Sequence, residues 1–321
     1  MSWNWLFHSG FRRWRACGVP ADPFAERAGC GPEGERVRSR DLLNEGRPVA
    51  RIPLISERDA ERARASAQKV VEVHRRLAEF VRVGKTLAQV DDFVARTLDD
   101  LGCRSCFLGY RMPRSPAFPS HACLSLNSCV VHGTAGYTST PLAPGDLLSI
   151  DIGVRFEGWI GDAAWTYAMQ ERGEEAERLM ACGRESIRVG IEALQPGEKL
   201  IEWARAVQKC VENGYGFYLT RGLGGHGYGT ALHTPPYISN VVPNYPGEWP
   251  EAGVRCEPGM LVAVEPMIAV GTGASTSKPR QWPVFTADGS LSVHYEHDVL
   301  ITDDGPRVLT EGLEDLPDVL G

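Results

Sequence analysis

The sequence predicts an internally duplicated α+β domain, and three observations carry that reading. A glycine-led helix start occurs twice: Gly84-Lys-Thr-Leu87 and its helix are matched by Gly197-Glu-Lys-Leu200 and the helix behind it. Leu87, Val90, Val94 and Leu98 fall in register with Leu200, Trp203, Val207 and Val211, at a constant offset of 113 positions. Strand-like runs follow each helical stretch, so each half reads as a helix pair leading into strands. A cleft between two such halves is the expected place for a site.

Residues 1–50 mix Trp3, Trp5 and Trp14 with Arg12, Arg13 and Arg15, then run through glycine, proline, glutamate and arginine without a period. That pattern predicts a flexible or irregular extension, or else a basic-aromatic docking arm. Order is expected from Arg51, which makes residues 51–321 the folded domain. Ser56-Glu-Arg-Asp59 resembles a capping box and opens a helix running to Val83, where Gly84 stops it. Thr86-Leu-Ala-Gln89 is a second capping box, and its helix carries Leu87, Val90, Phe93, Val94, Leu98 and Leu101 to Gly102. Residues 147–154 alternate with period two, turn near Glu157-Gly158 and return from Trp159 to Tyr167 as a hairpin. Residues 260–268 form an almost continuous apolar strand interrupted by Glu265. Residues 293–301 form another, with Glu296 on the face of His294, Asp298 and Leu300. The glycine-rich segment from Gly222 to Gly229 brings backbone close to His226.

Composition narrows the function classes. The net charge of −7, from 34 basic and 41 acidic residues, argues against nucleic acid as the main partner. An apolar content of 43 % supports a substantial core. No apolar run approaches the ~18 residues of a membrane span, and the N-terminus lacks a signal-peptide core and cleavage site. Nine cysteines, an odd number, point to free thiols in a reducing cytoplasm. Cys103-x-x-Cys106 has no second ligand pair and reads as core or pocket thiols.

The chemistry lies in ionisable residues set in apolar or glycine-rich segments. Asp151 and Asp162 flank the hairpin turn, so antiparallel pairing brings their carboxylates together, and a dication would neutralise them. Glu265 and Glu296 come from two further strands, and His226 sits among glycines. Each of these has a bland reading alone, as a turn-adjacent or ion-paired side chain. Four carboxylates and a histidine together fit two divalent cations and metal-assisted hydrolysis. His132 and His233 suit hydrogen bonding to a scissile amide and its developing oxyanion.

These segments are recognisable as a set. The run SLNSCVVHG ending at Gly133, GDLLSIDIG from Gly145 to Gly153, Gly161-Asp162, GHGYG from Gly225 with His233, VEPM from Val264 to Met267, and Tyr295-Glu-His297 together resemble type I methionine aminopeptidases. The resemblance covers roughly residues 55 to 310. It implies a pita-bread fold with pseudo-two-fold duplication, an antiparallel sheet covered by helices, and removal of initiator methionine ahead of small second residues. By the same resemblance, Asp151, Asp162, His226, Glu265 and Glu296 hold two divalent ions (cobalt, manganese, iron or zinc). Asp162 and Glu296 bridge them, Asp151 completes one site, and His226 with Glu265 completes the other. Glu265 also takes the water's proton, while His132 and His233 contact substrate. Tyr110, Cys123 and Trp282 match the family's methionine-pocket wall. Phe107 stands where a cysteine is common, Leu232 where an aromatic is common, and Val131 precedes His132 where a cysteine is frequent. A proline-rich insertion at 112–119 lengthens the loop after Tyr110. These departures bear on the S1 pocket and leave the metal set untouched.

The partners implied are the methionyl N-termini of nascent chains, met by a cytoplasmic monomer, with ribosome association through residues 1–50 left open. Two rival readings share the fold. An Xaa-Pro hydrolase would carry a separate N-terminal domain larger than residues 1–50 allow. A non-catalytic binding module would have lost ligands, and all five stand.

Overall fold

Ser56 opens the first helix as its sequence indicates, with its side chain accepting from the backbone N–H of Asp59. The computed structural model describes residues 51–112 and 115–321, so the expectations for residues 1–50 lie outside the described residues. Helix α1 spans Glu57–Phe80 and ends a turn before the expected Val83. Helix α2, Leu87–Asp100, starts with the complete Thr86/Gln89 capping box. After Gly173, α3 runs over Glu174–Glu192, and α4, Ile201–Gln208, continues into a π-helical turn at Lys209–Tyr215.

The repeat holds in the core. Each expected pair, Leu87/Leu200, Val90/Trp203, Val94/Val207 and Leu98/Val211, is buried in the same hydrophobic cluster. The two helices differ at both ends: Leu200 caps α4 in a helical conformation without a side-chain bond, and Val211 falls in the π-helical turn that follows α4. Helices α1 and α2 pack together, with α1 lying across the long hairpin of the first half. Helices α3 and α4 pair likewise in the second half, with α3 against Met267–Ala269 and Ser292–His294.

The first sheet is built on the hairpin Leu147–Phe156 and Trp159–Met169, closed at Glu157-Gly158 with Phe156 opposite Trp159. Cys123–Leu126 pairs along the first of these strands, placing Cys123 opposite Asp151. The second five-stranded sheet runs Gly305–Val308, His297–Thr302, Leu261–Val264, Gly224–Gly227, Thr234–Ser239. Named strands pair antiparallel among the described residues, except that the C-terminal Val319–Leu320 adds parallel to Trp159–Met169.

Two expected strands are each divided. Residues 260–268 break at Glu265-Pro266, between Leu261–Val264 in one sheet and Met267–Ala269 in another. Residues 293–301 break opposite, at Tyr295-Glu296, between Ser292–His294 and His297–Thr302. Val264 still pairs with His297, and Met267 with His294, so the chains switch sheets side by side. Pro266 has no N–H to extend a ladder, which makes this the place where pairing stops. The break also undoes the expected alternation: Asp298 does not face the cavity that takes Glu296, and its Oδ2 accepts from the Asp162 backbone N–H at 2.9 Å. The seven described cysteines, Cys103 and Cys106 among them, are free thiols.

His74 on α1 is fully buried, with its Nδ1 2.9 Å from the Tyr167 hydroxyl. Burial lowers its pKa to about 4 from an ordinary 6.5. An unfolded chain takes up that proton first as pH falls, so stability is lost between pH 6.5 and 4, by about 3 kcal/mol. His74→Gln keeps a hydrogen-bonding group without the titration. Its melting temperature is expected to decline less steeply than wild type's over that interval, and equal slopes would exclude His74 as a source of acid sensitivity.

Candidate metal centre

The hairpin positions the first two carboxylates. Asp151 lies opposite Ala164 and Asp162 opposite Gly153, so the two are diagonal neighbours on one sheet face. Both are buried, at 9 % and 3 % exposure, and each has one Oδ1 without a hydrogen-bond partner. Glu265 and Glu296 enter from the two sheet-switch segments, and the Glu296 backbone N–H donates to the Ala164 carbonyl at 2.8 Å. That bond ties the switch directly to the hairpin.

His226 comes from Gly224–Gly227, an inner strand of the second sheet, where flanking glycines are a packing requirement. A Cβ on Gly225 would sit 2.3 Å from the Ala263 carbonyl oxygen, and one on Gly227 would sit 2.2 Å from that of Pro235. The His226 Nδ1 lies 3.1 Å from the Gly227 carbonyl, which sets Nδ1 as the protonated nitrogen and leaves Nε2 as a free donor pair. Nε2 is 3.9 Å from Asp162 Oδ2 and 3.8 Å from Glu265 Oε1. Two close groups result: Asp162, His226 and Glu296; and Glu265, His294 and Glu296. Donors about 2.1 Å from a shared ion stand roughly 3–4 Å apart, so these separations fit divalent cations.

The electrostatics point the same way. Burial, and then mutual repulsion, pushes Asp162 and Glu296 far above the usual carboxylate range, while burial lifts Asp151 and Glu265 to about 7. Buried carboxylates facing one another are costly unless a cation neutralises them. The orphaned Asp151 and Asp162 oxygens are the acceptors such a cation would take.

All the site residues expected from sequence line one cavity of about 590 Å³, within the range of small-molecule sites. His132 has a left-handed backbone, φ 58, and its ring meets Trp282 edge-on at 6.1 Å. Such strain in a non-glycine residue is characteristic of functional positions. His233 Nδ1 is 2.8 Å from the Tyr110 hydroxyl, and its ring stands 4.3 Å from that of His226. Burial lowers the pKa of both His132, to about 4, and His233. Both imidazoles are therefore neutral near pH 7, with one N–H each to donate. Phe107, Cys123, Leu232 and Trp282 form the apolar wall.

Among the cavity-lining side chains that the sequence does not mark as site residues are Phe118, Glu251 and His294. Phe118, at the end of the proline-rich insertion, stacks edge-on against Trp282 at 5.2 Å and Phe107 at 6.2 Å. Its signal was an aromatic among prolines. Glu251 is buried in the short Pro250–Gly253 turn with one Oε2 unpartnered, and nothing local in its sequence marked it. The two-residue spacing puts His294 on the face of Glu296 but carries no sign of its approach to Glu265, 3.2 Å away.

The sequence matches metallopeptidase family M24 over residues 61–303. It is 35 % identical over 261 residues to the methionine aminopeptidase of Aquifex aeolicus, covering 81 % of this chain and 99 % of that protein. It is also 35 % identical to methionine aminopeptidase 1 of Mycobacterium tuberculosis, over 83 % of this chain and all of the relative. The fold superposes on a methionine aminopeptidase crystal structure from Thermotoga maritima with TM-score 0.74 and 32 % identity, covering 81 % and 99 % of the two chains. The shared architecture is the expected α+β pita-bread fold.

Asp162→Asn removes one member of the repelling carboxylate cluster. The metal-free variant is expected to melt a few degrees above metal-free wild type, on the order of 1 kcal/mol for a domain of this size. Added cobalt or manganese should raise the melting temperature of wild type only. A variant that is less stable without metal, or equally stabilised by it, would refute a charge-strained cation site.

Proposed function

The chain belongs to metallopeptidase family M24 and, within it, to the methionine aminopeptidases, and on that footing we propose that it hydrolyses methionyl peptides of nascent chains at the cavity described above. It is a metallo-aminopeptidase that uses divalent metal and removes N-terminal methionine. The observation that carries the reading is the convergence of three buried carboxylates, the nearly buried Glu265 and His226 beside an apolar pocket.

Asp151, Asp162, His226, Glu265 and Glu296 are the residues that would hold two divalent ions. Bound divalent cations supply Lewis-acid chemistry and lower the pKa of water toward neutrality. Glu265, lifted toward neutrality by burial, is the proposed general base that takes up the proton of the attacking water. His132 and His233, both neutral, donate their N–H groups to the scissile amide oxygen as charge develops. Tyr110 holds His233 through Nδ1, leaving Nε2 to face substrate. Phe107, Phe118, Leu232 and Trp282 enclose the methionine side chain and exclude water.

Any of cobalt, manganese, iron or zinc suits this donor set. Small second residues, a cytoplasmic location and a monomeric state complete the proposal. Among the described residues, no helix is long and apolar enough to cross a membrane. Residues 51–321 are the proposed catalytic domain, and residues 1–50 an accessory extension.

The decisive assay is release of methionine from a Met-Ala-Ser peptide, by metal-free and metal-loaded protein, with an Ala-Pro peptide as control. Metal-dependent cleavage of the first peptide alone is expected; cleavage of Ala-Pro instead would favour the Xaa-Pro reading. Glu265→Gln should lower kcat by roughly a hundred- to ten-thousand-fold with the fold intact, and retained turnover would sink the base assignment. Deleting residues 1–50 should leave hydrolysis of this peptide unchanged; loss of turnover in folded, truncated protein would place the extension in the site.

A further inference from the structure

His294 has no place in the ligand set above, yet it lies at the centre of the carboxylates. It ends the strand Ser292–His294, just before the chain switches sheets, and is 2 % exposed. Its Nε2 is 3.2 Å from Glu265 Oε2 and 3.9 Å from Glu296 Oε2. Despite the first distance, Nε2 has no hydrogen-bond partner, so it is not aimed at the carboxylate oxygen. A buried, unpartnered nitrogen beside two carboxylate oxygens has the spacing of donors converging on one cation.

The backbone holds it there. The Thr166 hydroxyl donates to the His294 carbonyl at 2.9 Å, and the His294 N–H reaches the hydroxyls of both Thr166 and Ser149. Those hydroxyls are 2.8 Å apart and lie on the hairpin that carries Asp151 and Asp162. The ring is thus fixed to the same scaffold as the acidic ligands, as a preorganised donor would be.

We propose that His294 Nε2 is a further ligand of the metal centre, joining Glu265 and Glu296 on one ion. The proposal rests on the reading of these carboxylates as a cation site. It gives the centre two imidazoles, His226 and His294, in place of one. Added nitrogen shifts preference toward cobalt, iron and zinc and away from manganese, which favours oxygen donors.

The test uses full-length protein stripped of metal and titrated with cobalt or manganese by calorimetry, comparing wild type, His294→Gln, His294→Ala and His226→Ala. Cobalt affinity is expected to fall at least about tenfold in both His294 variants, with a shifted cobalt absorption spectrum and a smaller loss for manganese. A positioning role would be rescued by glutamine; a ligand role would not restore the spectrum. Proton NMR of cobalt-loaded wild type counts ligating imidazoles through their shifted exchangeable N–H signals, and needs no variant. Two such signals support the proposal, and one overturns it. Unchanged cobalt affinity and spectrum in both His294 variants, with His226→Ala altered, would overturn it while leaving the metal centre intact. Wild type that binds no metal would overturn both.

Discussion

Four carboxylates held out of water within one cavity repel one another, and the rest of this structure is arranged around that fact. Asp151, Asp162 and Glu296 are buried, Glu265 nearly so, and no lysine or arginine reaches them to form an ion pair among the described residues. Left alone, such a cluster stays partly protonated, which is what the raised carboxyl pKa values express. Divalent metal would reverse the balance, turning repulsion into coordination. The stability of the centre and its chemistry are therefore one property.

The scaffold brings these groups together by a paired sheet switch. One long hairpin supplies two aspartates in diagonal register, and that geometry is rigid because both strands are buried and continuous. The two glutamates come from segments that leave their ladders at the same level, Glu265-Pro266 beside Tyr295-Glu296, where Pro266 cannot continue the pairing. Freed from strict alternation, both side chains turn toward the hairpin face. His226 completes the ring because neighbouring glycines let its strand approach Ala263 and Pro235 more closely than any side chain would permit.

Beside the proposed centre, an apolar wall meets a pair of buried histidines. Tyr110 links the apolar wall to His233 through its hydroxyl, which fixes the imidazole against that wall. The proline-rich insertion after Tyr110 returns through Phe118 to pack on Phe107 and Trp282, adding an aromatic layer.

Much of this was legible along the chain. The Ser56 N-cap, the Thr86 capping box, the hairpin through Glu157-Gly158 and the helix repeat all depend on neighbours within a few residues, or on a period the sequence displays. The proposed ligands Asp151, Asp162, His226, Glu265 and Glu296 stand out because ionisable side chains contradict apolar or glycine-rich settings, whereas the pocket residues Phe107, Tyr110, Cys123, Leu232 and Trp282 are named only by the family resemblance. What the sequence could not show was set by contacts between distant segments. The breaks at Glu265 and Glu296 read as continuous strands, since each becomes a switch only opposite the other. His294, Glu251 and Phe118 owe their importance to which residues face them across the cavity, and that is decided by how the sheets and the insertion pack. Sequence alone determined which chemistry this protein carries, through residue type and local pattern; tertiary structure decided which groups share a cation, because ligation depends on distances that no spacing along the chain encodes.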